Sequence, residues 1–329
     1  LSGFDLQEFW GIEPNPRYET AMKAVELCRR EKITFLLSVG GGSVLDATKF
    51  ISLAVHYTAA DPWELYTKGA LSPQTVPLGA VITLPATGSE MNCNSVLSRE
   101  STAEKLAFSN PQAYPLFSVM DPESTFTLPE RQTINGIVDA FVHVCEQYMT
   151  YPVNSPLQDR QAEAVYHTLV EEGPKVLKNP RDYDARANIM WAATHALNFI
   201  MACGVPEDWS THMIGHEITA LHGLDHAQTL ACVLFGVWKH QKQAKEAKLV
   251  QYGQRIWGIT PGPGAVEKAI DRTEAFFRSL GMKTRLHEYG VGTENFEKIA
   301  SRIESRGMKL GEHANIGKKE ILEILNLSL

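Results

Sequence analysis

The sequence predicts an α/β N-terminal domain over residues 1–126 and an all-helical C-terminal domain over residues 127–329. Two observations carry that division. In the first part, apolar runs of strand length alternate with helical patterns, and each run leaves through a turn of glycine or small polar residues. In the second, segments with apolar residues at helical spacing follow one another, and no further strand pattern appears. Length agrees with both, since 329 residues make about two domains at ~150 residues each.

Leu1 to Pro16 is a short opening segment that ends in the loop-like GIEPNP. From Arg17 to Arg30, Ala21, Ala24, Val25 and Cys28 form one apolar stripe, which predicts a surface helix. Ile33 to Val39 is a continuous apolar run and reads as a parallel strand buried on both faces. Gly40, Gly41, Gly42 and Ser43 form the turn, and a helix runs from Val44 to Val55. Strand, glycine turn and helix together make a place where backbone N–H groups and a helix N-terminus receive phosphate. The pattern is neither GxGxxG nor a lysine-bearing P-loop, and a plain tight turn explains it equally well. Asp46 in the first helical turn is favoured there by the positive helix end, but beside a phosphate site it would face the sugar or the reacting end.

Val76 to Leu84 reads as a second buried strand, left through PATGSEMN. Thr83, Thr87, Ser89 and Asn92 place short polar donors around Gly88, which suits a dinucleotide at the edge of an open sheet. Each one alone is explained by a turn satisfying its own backbone. Their coincidence with the first glycine loop favours the binding role. Val96–Arg99 and Lys105–Ser109 predict a hairpin, on which Lys105 reads as solvent-facing or as reaching the cofactor, with the first favoured. After a turn at Asp121–Pro122, helices are expected over the segment following Pro129 and over 157–178, 184–203, 209–222, 225–252, 264–280, 294–306 and 317–327.

Composition narrows the function. A net charge of −7 and no long basic run argue against a nucleic-acid partner. The most apolar stretches, such as ALNFIMACGV, fall short of the ~20 residues that span a bilayer. Five scattered cysteines without CxxC are no disulfide framework and suit a reducing cytoplasm. No signal peptide opens the chain, and its start at Leu1 is compatible with a missing or processed leader.

The chemistry gathers in WSTHMIGHEITALHGLDHAQTLA, which holds four of the eleven histidines. His212 and His216 share a helix face at i, i+4, and His222 and His226 flank the corner made by Gly223 and Asp225. Imidazoles alone leave a coordination shell unfilled, and Asp139 and His143, again at i, i+4, offer the missing carboxylate. Cys145, two residues beyond His143, lies roughly 200° around that helix and is a poor co-ligand. One carboxylate plus imidazoles suits Fe(II) or Zn(II). The remaining histidines, His56, His167, His195, His240, His287 and His313, read as ordinary polar residues. A zincin peptidase is excluded, because HEITA places Ala220 where HExxH needs histidine. A metal facing a nucleotide-binding half points to hydride transfer, with the metal polarising a carbonyl and a spare histidine relaying a proton.

The segments GIEPNP, FLLSVGGGSVLDATKFI, ITLPATGSEMN, GIVDAFVHVCEQY, MWAATHALN and DWSTHMIGHEITALHGLDHAQTLA resemble the iron-containing (group III) alcohol dehydrogenases, and they span nearly the whole chain. The likeness is strongest to their NADPH-dependent aldehyde reductases and butanol dehydrogenases. It implies a dinucleotide-binding N-terminal domain and a helical metal-binding domain, on the superfold shared with dehydroquinate synthase. It implies Asp139, His143, His212 and His226 as metal ligands, with Fe(II) the usual ion and Zn(II) an alternative. His216 is then a catalytic residue for proton relay or cofactor contact. Gly41, Gly42, Ser43, Asp46, Thr83, Thr87, Asn92 and Lys105 line the cofactor groove, with Asp46 at the nicotinamide and ribose end. Family members carry a further segment before GIEPNP that approaches the adenosine ribose. The likeness to the NADPH-dependent branch implies NADP(H) over NAD(H), while that segment bears on cofactor preference, on cofactor affinity and on the sheet edge that it covers. A homodimer is also implied.

The first hypothesis is therefore an NAD(P)-linked, metal-dependent alcohol dehydrogenase acting mainly as a reductase of small aldehydes. The second is a chain that keeps its metal as a structural staple and is catalytically idle. The third is a lyase on the same superfold, which keeps its cofactor bound and consumes none.

Overall fold

The computed structural model describes residues 3–58 and 61–329, so Leu1 and Ser2 of the opening segment lie outside the described residues. Helix α1 (Tyr18–Glu31) buries the expected stripe of Ala21, Ala24, Val25 and Cys28, and Lys32 ends it in the left-handed region. Strand β1 (Leu36–Gly41) runs parallel to β2 (Leu78–Leu84), which in turn runs parallel to β5 (Ser118–Met120). Between them lie α2 (Gly42–Ala54), the short α3 (Glu64–Thr67) and the hairpin β3 (Asn94–Arg99) and β4 (Glu104–Ser109). The hairpin joins the two segments expected to form it and pairs Ser98 with Lys105.

Three features of this half differ from expectation. Gly40 and Gly41 belong to the strand, so the turn into α2 is tighter than a four-residue loop. Strand β1 is covered on one face only: Leu37 and Val39 are exposed, and with Phe35, Phe117 and Val119 they leave an apolar sheet face open. Strand β5 spans three residues, too few to alternate, and its partner β2 defines it.

The second half is helical: α4 (Glu130–Tyr148), α5 (Pro156–Lys178), α6 (Tyr183–Ala196), α7 (Ser210–His222), α8 (His226–His240), α9 (Glu246–Trp257), α10 (Ala265–Ser279), α11 (Phe296–Ser305) and α12 (Lys318–Leu327). Helix α4 is buried all round from Thr133 to Tyr148, packed by α5, α6 and α8. Phe141, Tyr166, Phe235, Trp238, Tyr252 and Phe277 build the core about it. Each fully buried ring of this kind contributes about 1.5–3 kcal/mol. No helix among the described residues is long and apolar enough to cross a membrane.

Two expected helices end early, each for a polar reason. The 184–203 segment stops at Ala196, where the Leu197 carbonyl turns out to accept from Asn92 Nδ2 at 2.9 Å. The 225–252 segment breaks between His240 and Glu246. Lys245 there is fully buried, with its ammonium 2.8 Å from both Asp208 and Glu312 and bonded to the Met149 carbonyl. An interior ammonium needs such partners, and a continuous helix would not deliver it to them.

Candidate metal centre and cofactor groove

A close backbone approach sets the stage. A Cβ on Gly136 would stand 2.3 Å from the Pro85 carbonyl oxygen, so only glycine lets α4 lie this close to the loop leaving β2. Three residues on, Asp139 projects from α4, followed by His143. Helix α7 brings His212 and His216, and Gly223, at φ 71°, ends it. Asp225 opens α8 with His226 as its first residue, and Asn135 Nδ2 on α4 donates to Asp225 Oδ2 at 2.8 Å.

These elements bring the ligating atoms of Asp139, His212 and His226 within 4.8 Å of one another. His143 Nε2 and His226 Nε2 each lie 3.7 Å from Asp139 Oδ1. The His143 ring stacks on His212 with centroids 4.8 Å apart, though His143 stands outside the mutually close group of three. His216 stays beside them, its ring centroid 5.1 Å from that of His226. His222 turns away toward Asn295, and Cys145 lies in the hydrophobic core.

Asp139 Oδ1, His143 Nδ1, His212 Nε2, His216 Nε2 and His226 Nδ1 are buried without a protein partner. An unpaired buried polar group costs about 1–3 kcal/mol, so five at one place call for an occupant. Burial holds the imidazoles of His143, His212, His216 and His226 below the usual histidine range, in the neutral form that ligates metal. One carboxylate with neutral imidazoles and no thiolate fits a divalent ion of the iron or zinc kind.

The same cavity, about 510 Å³, is lined on its other side by Gly41, Gly42, Ser43, Asp46, Thr87, Asn92 and Lys105. Gly41 is the N-cap of α2 and Gly42 its first residue, and a Cβ on Gly42 would meet Thr87 Oγ1 at 2.6 Å. The first amides of α2 thus open onto the groove without intrahelical partners. Thr83 sits on β2 and is not part of the lining.

Asp46 lies beyond the first turn of α2, not within it, so the helix end does not account for it. Its carboxylate accepts from Ser89 Oγ at 2.7 Å and from the Val96 amide at 2.9 Å. Burial raises its pKa to about 6, with Lys49 opposing. Asn92 is fully engaged: Nδ2 donates to Thr87 O and Leu197 O, and Oδ1 accepts from Lys49 and the Asn94 amide. It is a wall tie more than a free donor. Lys105 is buried, which overturns its solvent-facing reading; Nζ donates to Asn15 Oδ1 at 2.8 Å, and burial pushes its pKa down to about 8.

Comparison with known proteins now adds identity. Residues 1–122 match the family described as "Iron-containing alcohol dehydrogenase", and residues 133–329 match "Fe-containing alcohol dehydrogenase family, C-terminal". The chain belongs to the iron-containing alcohol dehydrogenases. It is 53% identical to the NADPH-dependent aldehyde reductase YqhD of Escherichia coli over 96% of this chain and 83% of that protein. It is 38% identical to the probable NADH-dependent butanol dehydrogenase 1 of Bacillus subtilis, over 100% of this chain and 85% of the other. The crystal structure of E. coli YqhD superposes with a TM-score of 0.98 at 50% identity, covering 100% of this chain and 86% of that one. The reductase and butanol dehydrogenase branch named by the motifs is thereby borne out.

Within this alcohol dehydrogenase, two site residues escaped the sequence reading. Glu146 is buried on the face of α4 that carries Asp139 and His143, and its Oε1 lies 2.8 Å from His212 Nδ1. The spacing Asp139, His143, Glu146 was its signal. Lys49 is buried against Ser89 Oγ, Asn92 Oδ1 and Asn94 O, pinning the loop after β2 to α2. A lysine three residues after Asp46 in an apolar helix was the sign.

Proposed function

We propose that Asp139, His143, His212 and His226 hold a divalent ion, Fe(II) in preference to Zn(II), opposite a dinucleotide held by the N-terminus of α2. On this reading the chain is an NAD(P)-linked alcohol dehydrogenase working mainly as a reductase of small aldehydes. One observation supports it above the rest: the carboxylate–imidazole cluster and the glycine turn line a single cavity. When bound, the ion supplies Lewis-acid polarisation of the substrate oxygen and the nicotinamide supplies or accepts hydride.

The protein's own residues do the rest. The amides of Gly41, Gly42 and Ser43 receive the pyrophosphate. Asp46 and Lys105 flank the ribose and nicotinamide end, and Thr87 and Asn92 form the wall beside them. Thr83 stays in the assignment by resemblance alone. His216, neutral and with Nε2 free, takes or returns the hydroxyl proton. NADP(H) is preferred over NAD(H) on the strength of the 53% identical NADPH-dependent relative. The division at residues 126/127, a homodimer and a cytoplasmic setting belong to the same proposal. The net charge of −7 supports no nucleic-acid partner.

The test is a fluorescence titration with NADPH and NADH, followed by NADPH oxidation on butanal. Tighter NADPH binding with turnover is expected. Binding of neither nucleotide would mark an idle chain, and cofactor bound without net consumption would mark a lyase.

A further inference from the structure

Glu217 follows His216 on α7, about 100° further around the helix. Its side chain is 1% exposed and meets two arginines: Arg302 of α11 at 2.9 Å and Arg306, the residue that caps the C-terminal end of α11, at 2.6 Å. The same two guanidinium groups continue across to the tip of the β3–β4 hairpin. Arg302 Nη2 donates to the Ala103 carbonyl at 2.5 Å, and Arg306 Nη2 lies 3.6 Å from Glu104. The residues next in sequence on either side, Lys105 on β4 and His216 on α7, both line the groove.

We propose that Glu217, Arg302 and Arg306 are positioning residues: a latch that ties the hairpin to the helical half and so sets the separation of Lys105 and His216. The proposal rests on the reading of the groove as the nucleotide site. A buried carboxylate is held firmly only when its charge is met, and here each guanidinium meets Glu217 through one nitrogen (Arg302 Nε, Arg306 Nη1) while a second nitrogen reaches an acceptor on the hairpin. Lysine at position 302 would still offer charge to Glu217, but its single ammonium lacks the fork that spans both acceptors.

The test is Arg302→Lys in the full chain, with three readings: NADPH dissociation constant, bound metal, and amide hydrogen exchange over residues 100–108. The latch predicts a roughly three- to ten-fold weaker NADPH constant, about 0.7–1.4 kcal/mol. It also predicts faster exchange at the hairpin tip, with metal content and melting temperature at the parent's values. Unchanged NADPH binding overturns the proposal, even if exchange quickens. Should the parent bind no NADPH, the groove reading fails by itself, and exchange alone decides: parent-like protection of the hairpin then sinks the latch. Glu217→Gln should weaken NADPH binding in the same direction with metal retained. If metal, nucleotide and fold are lost together, Glu217 is a stability residue and the latch is wrong.

Discussion

Glu146 Oε1 lies 2.8 Å from His212 Nδ1 and 2.9 Å from the His212 backbone nitrogen, so one carboxylate oxygen fixes both the ring and its helix. With Nδ1–H donating to Glu146, Nε2 is left as the lone-pair donor on the side of Asp139. Outer carboxylates of this kind typically tune metal affinity by 10–100-fold. Glu146→Leu should therefore raise the metal dissociation constant about 10–100-fold in a chelator competition, although no ligand residue is substituted. Parent-like affinity would remove Glu146 from the centre.

Gly136 tests how the metal-bearing helix is seated. Gly136→Ala places a Cβ 2.3 Å from a backbone oxygen, and relief requires α4 to shift. Overpacking of this sort costs about 1–3 kcal/mol, and the shift should also reduce bound metal. Gly173→Ala is the control, since its Cβ would find contacts no closer than 3.5 Å. Thermal melts should show a loss for the first and a neutral or slightly positive change for the second.

Lys245 carries two buried carboxylates, Asp208 and Glu312, and joins the end of α4 to the start of α7. Asp208 Oδ1 also caps the Ser210 amide at 3.0 Å, two residues before His212. Lys245→Met leaves both acids unpaired, and a denaturant melt should report a loss of about 3–5 kcal/mol. A loss below 1 kcal/mol would show that the cluster is solvated.

What the sequence made legible follows from what each residue depends on. Asp139 with His143, and His212 with His216, could be paired in the sequence because i, i+4 spacing fixes a helix face without knowledge of the fold. The choice of His226 over His216 as a ligand came from the family resemblance alone. Strand β2 and the glycine turn were readable for a similar local reason. Lys245 was not, because its periodicity fits one unbroken helix and its partners lie far away in sequence, at Asp208 and Glu312. Lys105 was misjudged because a lysine on a hairpin usually faces water. In the fold its Nζ is instead buried against Asn15 in the groove that α4 and α7 also line, and β5 is likewise defined by its neighbour.

Lys105 also predicts a pH effect. Burial sets its pKa near 8, opposed by Asp139, Asp46 and Asp225, so it is charged below about pH 8 and neutral above. The charged form attracts an anionic dinucleotide, and NADPH affinity should fall as pH rises through 8. In Lys105→Met the affinity should be lower at neutral pH and flat across the same range. A parent constant that does not change between pH 7 and 9 (about 1 unit either side of 8) would contradict this.

The most direct test of the whole account is elemental analysis of protein prepared without oxygen, run beside NADPH oxidation on butanal, for the parent chain and for His226→Ala. The account predicts a stoichiometric divalent ion and turnover in the parent, and loss of both in the variant. Ion and turnover retained after removal of His226 would contradict it.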